Sequence, residues 1–313
     1  MCVQIEAIYD ESRKITVRSD SGTYALTLHK NCRRFTEMSI DWLKGILLTA
    51  LIFVPLERML ARHPEQRVFR RGWMNDMIFL LLNGQVILFC LGILVIGMIM
   101  TAGWLVPVSV RGAVAGQPYW VQIVEVIVLA DIGFYFAHRA FHEVPWLWRF
   151  HAIHHSIEEL DWLAATRVHP LDQIVTKGFS LLPVFTLGFS DVAIGAYMIL
   201  YGWQSVLIHS NVRINFGPLR WLLASPEFHH WHHSRDREAR DKNFAGQLPL
   251  LDVLFGTLHM PRGQMPSKYG LDRPIPATYP AQLLYPFRSI LTPKSQTGAV
   301  DAALKSQHTE RRR

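Results

Sequence analysis

An almost unbroken apolar run at residues 77–101 constrains this chain more than any other feature of its sequence. Its 25 residues contain only Asn83, Gln85 and Thr101 as polar side chains. A tilted helix of this length crosses the hydrocarbon core of a bilayer, which is about 30 Å thick. The run therefore predicts a membrane-spanning helix around which the rest of the chain must fold.

Three further apolar segments extend this prediction to a bundle of about three to five membrane helices. Residues 40–56 are mostly apolar, and residues 119–137 form another candidate span, which carries Asp131. Residues 173–208 are too long for one crossing and break at 188–191, where an aspartate can cap a second helix. The expected fold class is therefore all-α, an integral membrane helical bundle.

Composition agrees with a membrane protein and argues against a nucleic-acid-binding one. Charged residues make up 18% of the chain, below the usual share of about 25%. The net charge is +7, but the basic residues are scattered and form no long stripe that could follow a phosphate backbone. A membrane face lying on anionic lipid explains the surplus better, so no nucleic-acid partner is expected.

The distribution of arginines orients the bundle. The link 57–73 holds five arginines, whereas the link 103–118 holds one. The positive-inside rule places the first link in the cytoplasm, together with the segments that follow the later spans. The basic residues at 30–34 would then lie outside, unless residues 40–56 do not fully cross. We therefore expect a multi-pass protein of a bacterial inner membrane with its site on the cytoplasmic side.

The two ends of the chain are polar. Residues 1–37 form a polar tail without the apolar stretch of a signal peptide. Within this tail, short alternating runs at 14–17 and 24–28 predict a β-hairpin. Residues 262–313 are expected to form an extended, Pro-rich surface segment that ends in a disordered tail.

Three compact histidine clusters follow the predicted spans. They are His138 and His142; His151, His154 and His155; and His229, His232 and His233. Residues three and four apart share one face of a helix, so each cluster presents two or three imidazoles toward one point. The adjacent histidines of an H-x-x-H-H box can reach neighbouring metals, and the clusters supply eight imidazoles, about four for each of two ions. Surface histidines that sense pH are the alternative for any single cluster.

The chemistry of the ligands favours iron. Imidazole suits zinc, copper, iron and nickel. A structural zinc site needs only four ligands and usually includes cysteine, but none of the three cysteines lies near the clusters. We interpret the clusters as the site of two redox-active iron ions.

Other residues near the clusters are candidates for supporting roles. His209 ends the last predicted span and is a ninth candidate ligand, and His169 is a tenth. Asp131 lies seven residues before His138 on the same helical stripe, so we expect it to accept a hydrogen bond from a ligand imidazole. A role in pairing membrane helices is the alternative for this residue. His230 departs from the H-x-x-H-H pattern and is expected outside the ligand set.

With these clusters, the chain resembles the fatty acid hydroxylase/sterol desaturase superfamily of membrane di-iron enzymes, in its bacterial members. The likeness is carried by His138-x-x-x-His142-Glu143, His151-x-x-His154-His155, Thr166-Arg167-x-His169-Pro170, His209-Ser210-Asn211, His229-x-x-His232-His233, Asn243-Phe244 and Asp252-x-x-Phe255-Gly256-Thr257. Only eight residues separate the first two clusters, a spacing that looks like the hydroxylase/sterol branch. Some members carry a further histidine where Arg213 stands here, and His169 is the candidate replacement.

The resemblance implies a division of the chain into functional segments. N-terminal membrane helices would occupy residues 38–123, and a di-iron domain would occupy residues 124–261, with a helical, histidine-rich metal cap on the cytoplasmic side. Asn243 and Asp252 would support the ligands without binding metal.

The activity implied is oxidation of a lipid. Two iron ions would use O₂ and external electrons to abstract hydrogen from a C–H bond, giving an alcohol or, after a second abstraction, an alkene. No G-x-G-x-x-G fingerprint occurs, so the electrons would come from a ferredoxin or a cytochrome b5-type protein. The basic residues for such a partner are Arg235, Arg237, Arg240 and Lys242, which could equally face lipid headgroups. Phe134, Phe136 and residues 179–203 would wall the lipid.

Two other classes of protein remain as alternatives. A dinuclear zinc hydrolase would need an activated water and a general base, for which Glu227 or Glu158 is available. A metal transporter or store would place histidines inside the spans, whereas these follow them. The sequence leaves the lipid open: a fatty acyl chain, a sterol or hopanoid, a sphingolipid, an ether lipid or a carotenoid.

Overall fold

A computed structural model describes residues 7–9, 14–19 and 22–288 of the chain. The chain divides into two compact units, Met1–Pro55 and Leu56–Arg313. In the first unit, strands β1 (Ala7–Tyr9), β2 (Lys14–Ser19) and β3 (Gly22–Thr27) form an antiparallel sheet. The predicted hairpin is confirmed, since β2 pairs with β3 from Lys14 opposite Thr27 to Ser19 opposite Gly22. This sheet is the one departure from the all-α expectation.

Apart from two isolated β-bridges, the regular secondary structure in the rest of the described chain is helical. Helix α1 (Leu28–Met59) runs across the boundary between the two units. The longer helices of the second unit are α3 (Gly84–Leu105), α5 (Tyr119–Glu143), α7 (Pro170–Thr186) and α8 (Asp191–His209). The shorter ones are α2 (Trp73–Ile78), α4 (Val108–Ala115), α6 (Pro145–His151), α9 (Pro226–His232), α10 (Leu250–Leu254) and α11 (Tyr279–Leu284).

Three helical segments are long and apolar enough to cross a membrane. They are Trp73–Ala102, Tyr119–Glu143 and Asp191–His209. The first comprises α2, a π-helical turn at Phe79–Asn83 and most of α3, and its mean hydropathy is 2.5. Large apolar side chains on α3 are exposed, among them Phe89 at 70% and Met100 at 69%. A contiguous apolar surface of this kind is costly in water and is expected where the solvent is lipid. The predicted membrane bundle is thus confirmed.

The predicted break in residues 173–208 is also present. Helices α7 and α8 are separate, and the turn between them contains Gly188 at a φ of 86°. The cap of α8 differs from the prediction, because the hydroxyl of Ser190 accepts the N–H of Ala193 at 3.3 Å, one residue before Asp191. A serine hydroxyl at this position satisfies an N–H group that the first helical turn leaves without a partner.

Helix α5 is the centre of the bundle. Both α7 and α8 pack against it, while α3 packs against α7. The helices α5, α7 and α8 share a buried apolar cluster that includes Val126, Ala130, Leu181, Val184 and Tyr197. Polar side chains also join α7 to α8, since the hydroxyl of Ser180 lies 3.3 Å from the hydroxyl of Tyr197.

A buried network of charged side chains joins two loops at the end of the bundle that carries the histidine clusters. The Nη2 of Arg70 donates to Asp76 at 2.7 Å and to Asp161 at 2.6 Å. The Nε of Arg167 also donates to Asp76. All four side chains are buried. Two cations and two anions balance in this network, which joins the loop before α2 to the loop before α7.

The C-terminal segment lies against the same end. Residues 262–278 form no helix or strand, and Tyr269 makes an isolated β-bridge with Ser234. Helix α11 follows this segment. Residues 289–313, which include the predicted disordered tail, lie outside the described residues.

Candidate metal centre

Nine buried histidines converge at one end of the bundle in two groups. Group 1 consists of His138, His142, His151, His155 and His232, and group 2 of His154, His209, His229 and His233. Within each group, the candidate ligand nitrogens all lie within 4.8 Å of one another. Each group could hold one metal ion.

Separate elements deliver these histidines. His138 and His142 lie one turn apart on α5, and His209 is the last residue of α8. His229 and His232 lie on α9, which begins with Pro226 after Ser225, whose hydroxyl caps the helix by accepting the N–H of Phe228 at 3.2 Å. Proline at the first helical position and serine before it are typical of a helix start.

The middle cluster does not lie on one helix, contrary to the sequence prediction. His151 ends α6, and His154 and His155 belong to a short 3-10 turn. In both H-x-x-H-H boxes the two adjacent histidines enter different groups: His154 and His155 separate, as do His233 and His232. The first histidine of one box joins group 1 and that of the other joins group 2.

Hydrogen bonds on the outer side fix the orientation of five imidazoles. Their Nδ1 atoms lie near oxygens that can only accept: His138 near Phe244 O (2.7 Å), His151 near Asp172 Oδ2 (2.7 Å), His154 near Arg167 O (3.1 Å), His209 near Ser205 O (2.7 Å) and His232 near Lys242 O (2.9 Å). The proton of each neutral ring is therefore on Nδ1, and the Nε2 lone pair faces the centre of the group.

The inner nitrogens then face one another without a proton to share. The Nε2 atoms of His138 and His151 lie 3.0 Å apart, and those of His154 and His209 lie 3.2 Å apart. Two lone pairs at this distance repel each other unless a cation attracts both. Metal–imidazole bonds of about 2.1 Å at right angles place two nitrogens about 3 Å apart. The donor set therefore fits a metal ion in each group.

Burial favours the neutral form of four of the grouped histidines. Removal from water, reinforced by the neighbouring imidazoles, holds the pKa of His154, His155, His229 and His233 well below the ordinary value. A neutral imidazole is the form that binds metal.

His169 does not join either group, which corrects its prediction as a tenth ligand. Its Nδ1 accepts the N–H of Leu171 at 3.1 Å, and its Nε2 lies 3.3 Å from the carbonyl of Leu283. His169 is thus the N-cap of α7. The imidazole is occupied at a helix start that Pro170 determines.

Asp131 is also corrected, because its carboxylate contacts a loop rather than a histidine. It accepts the backbone N–H groups of Gly246, Gln247 and Leu248 at 2.7–3.0 Å. The same loop supplies the carbonyls of Lys242 and Phe244 that accept from His232 and His138. Asp131 therefore supports the ligands only through the backbone.

Asn243 and Asp252 hold this loop from the other side. The Asn243 side chain bonds the backbone of Phe228 and His259, and the residue has a φ of 61°. The carboxylate of Asp252 accepts the N–H groups of Phe244 and Ala245 at 2.8 and 2.9 Å. His230 lies outside both groups, with its ring near Tyr269 Oη and Ser210 O.

Sequence reasoning missed Asp172, the carboxylate that bonds His151. It stands in the first turn of α7, three residues after His169. A ligand imidazole needs an acceptor for its other nitrogen, so an acid close to the clusters in sequence was a usable signal.

Two openings reach the histidines. The first, which we call the inner cavity, lies among α5, α7 and α8. It touches His138 and His151 of group 1, touches His154, His209 and His229 of group 2, and is otherwise lined by residues that include Phe134, Gln173, Thr176, Tyr201, Ser205 and Ile208. Of the predicted walls, Phe134 and Tyr201 line it, whereas Phe136 packs against Phe255 instead.

The second opening, the outer cleft, reaches group 1 alone. It is lined by His142, Trp148, His155 and His232 and by charged residues, namely Arg235, Arg240, Asp241, Asp272 and Arg273. Asp272 bonds both Arg235 and Arg240. The histidines are therefore reached from a largely apolar side within the bundle and from a charged side.

Comparison with known proteins agrees with this geometry. Residues 123–257 match the family model described as fatty acid hydroxylase. The chain is 34% identical over 173 residues to the ornithine lipid hydroxylase OlsE of Rhizobium tropici, covering 54% of this chain and 51% of that protein. It is 35% identical over 157 residues to human alkylglycerol monooxygenase, covering 50% of this chain and 34% of that protein.

A plant relative extends the range of named activities. The very-long-chain aldehyde decarbonylase GL1-1 of Oryza sativa is 30% identical over 146 residues, covering 43% of this chain and 23% of that protein. The chain thus spans about half the length of the bacterial relative and less of the others. No solved structure gives a significant match.

Proposed function

We propose that the chain is a membrane di-iron oxygenase that hydroxylates, or desaturates, C–H bonds of a lipid, because residues 123–257 match the fatty acid hydroxylase family model. The observation that carries the proposal is the pair of histidine groups, whose inner Nε2 atoms face one another at about 3 Å. Iron ions bound there would supply reductive activation of O₂. The relatives named above are a lipid hydroxylase and a monooxygenase, which supports this reaction class.

The residues of the chain would hold the metals and present the lipid. For the five imidazoles described above, the outer hydrogen bonds would keep the ring in the orientation that binds metal, as the bond from His151 to Asp172 does. The inner cavity reaches both groups, so a lipid C–H bond placed there would lie between them. Its apolar walls would exclude water from the reacting carbon.

Electrons would come from a separate donor, a ferredoxin or a cytochrome b5-type protein. The charged residues of the outer cleft lie close to group 1. Trp148 lines this cleft, and its ring lies 5.4 Å from that of His155. Of the predicted docking residues, Arg235 and Arg240 line this cleft, which makes it the proposed approach for an acidic donor. We further propose that this end faces the cytoplasm of a bacterial inner membrane, as the arginines of the link 57–73 suggest.

The geometry gives less support to a zinc hydrolase. Glu227 lies 3.5 Å from the guanidinium of Arg220. Neither Glu227 nor Glu158 lines the inner cavity or the outer cleft. A general base for a metal-bound water would have to reach the groups.

The test is lipid analysis of a bacterial host that expresses the wild-type protein, His154→Ala or His169→Ala. We expect the wild type to add one oxygen atom to a lipid, or to remove two hydrogen atoms, with label from ¹⁸O₂ in the alcohol. His154→Ala loses a group 2 imidazole and should give no product while still inserting. His169→Ala should keep both the metal and the product. Unchanged lipids with the iron-loaded wild type would refute the oxygenase.

A further inference from the structure

Lys177 is a cation inside the helical bundle. It lies in α7, which packs between α3 and α5, and both of these helices belong to candidate membrane spans. The side chain is half-buried, and among the described residues no carboxylate forms an ion pair with it. An ionisable side chain at membrane depth is costly and usually marks a functional site.

The ammonium of Lys177 instead lies over an aromatic ring. Its Nζ is 3.1 Å from the centre of the Tyr201 ring on α8. Tyr201 lines the inner cavity, as do Gln173 and Thr176, which are neighbours of Lys177 on α7. The Lys177–Tyr201 pair therefore stands at the edge of the cavity that reaches both histidine groups.

This pair is a contact between α7 and α8. Further along the same two helices, the hydroxyl of Ser180 lies 3.3 Å from the hydroxyl of Tyr197. An acidic group placed at the edge of the inner cavity that α7 and α8 form would therefore lie beside the ammonium.

The position of Lys177 relates it to the metal site. Asp172 bonds His151 at the start of α7, and Lys177 lies five residues later, about 7–8 Å further along the helix axis. Side chains on a helix tilt toward its N-terminus, which carries the ammonium back toward the cavity. An acidic group held by Lys177 would leave the adjoining carbons of its chain pointing at the histidines.

We propose that Lys177, supported by the Tyr201 ring, binds the acidic group of an anionic lipid substrate, a carboxylate or a phosphate, at the edge of the inner cavity. This rests on the proposed function, because it names the class of substrate for the same site. The ion pair would replace solvation that the ammonium lacks within the bundle. A neutral lipid would occupy the same cavity without this attraction.

The test measures binding, so it needs no turnover. The purified full-length protein in nanodiscs is titrated with spin-labelled stearic acid, with its methyl ester and with a lysophosphatidic acid. We expect the wild type to bind the acid at least about tenfold more tightly than the ester, as a charge-assisted hydrogen bond gives. Tight binding of lysophosphatidic acid but not of stearic acid would assign the anion to a phosphate headgroup and would also support the site.

Variants make the test specific. Lys177→Met, of similar length but uncharged, should lose the preference for acids and keep the affinity for the ester, and Lys177→Arg should keep the preference. Unchanged metal content and unfolding midpoint of Lys177→Met show that the fold persists. If the wild type binds neither stearic acid nor lysophosphatidic acid more tightly than the ester, or if the preference survives in Lys177→Met, the proposal is overturned. A wild type that prefers acids but oxidises no lipid would remove only the proposed function.

Discussion

The Nδ1 of His151 lies 2.7 Å from the Oδ2 of Asp172, and both side chains are buried. Within group 1, the Nε2 of His151 lies 3.0 Å from that of His138 and 3.1 Å from that of His155. The carboxylate therefore orients the imidazole at the centre of group 1. Four predictions follow from this and other contacts of the described residues.

The first concerns Asp172. Asp172→Asn keeps the shape of the side chain but removes its charge, so the His151 ring loses basicity and a firm orientation. We expect metal affinity to fall about tenfold or more, measured by competition with a chelator. Asp191→Asn, which alters an exposed carboxylate at the start of α8, serves as the control and should bind metal like the wild type. Equal affinity in both variants would contradict the role of Asp172.

The second concerns pH. Burial lowers the pKa of His154, His155, His229 and His233 in the folded protein, whereas in the unfolded chain these groups titrate near 6.5. Below that pH the unfolded state binds more protons, so stability falls as pH falls, by up to about 1.4 kcal/mol per pH unit for each histidine. Above pH 7 the effect vanishes.

The measurement is the thermal unfolding midpoint of metal-free protein between pH 8 and pH 5. We expect a plateau above pH 7 and a steep fall below 6.5. The double variant His154→Gln/His155→Gln should show a shallower fall, because two of the four groups are gone. A midpoint that does not change with pH would contradict the assignment of neutral, buried rings.

The third concerns the contact between α5 and α7. At Gly133, an added Cβ would overlap the carbonyl oxygen of Phe179 in the backbone of α7. Gly133→Ala should therefore push the helices apart and cost about 1–3 kcal/mol, seen as a lower unfolding midpoint. Gly195→Ala is the matched control, since nothing lies within 4 Å of its added Cβ. Its midpoint should stay the same or rise, because alanine favours a helix.

The fourth concerns the buried charge network. Arg70→Met leaves Asp76 and Asp161 without their shared cation, and breaking a buried network of this kind costs about 3–5 kcal/mol. Arg71→Met is the control, because the Arg71 side chain is 88% exposed. Urea or thermal unfolding in detergent should separate the two variants clearly. Equal stabilities would mean that the network contributes little.

The histidine groups could be predicted because their residues are closely spaced in the sequence. The long-range contacts that orient the imidazoles could not. The distance between His138 and His142 on α5, and that between His229 and His232 on α9, follow from helix geometry. The acceptors of the outer nitrogens are mostly backbone carbonyls, such as those of Phe244 and Arg167, which any residue type can supply. No sequence pattern identifies them.

The two corrected residues show the same limit. Asp131 does lie on the α5 stripe of His138, but the space beside it is filled by a loop more than a hundred residues later, at 246–248. His169 was taken for a ligand because it is a histidine near others. The proline that follows it already indicated a helix start, where a side chain is used to cap the backbone.

Single peptide links at 154–155 and at 232–233 join the two histidine groups. A cation bound in one group would order backbone that also carries a histidine of the other group. The entropy lost when the second group binds its own cation would then be smaller. Metal binding in one group would therefore favour binding in the other. Two ions bound in this way would be gained or lost together.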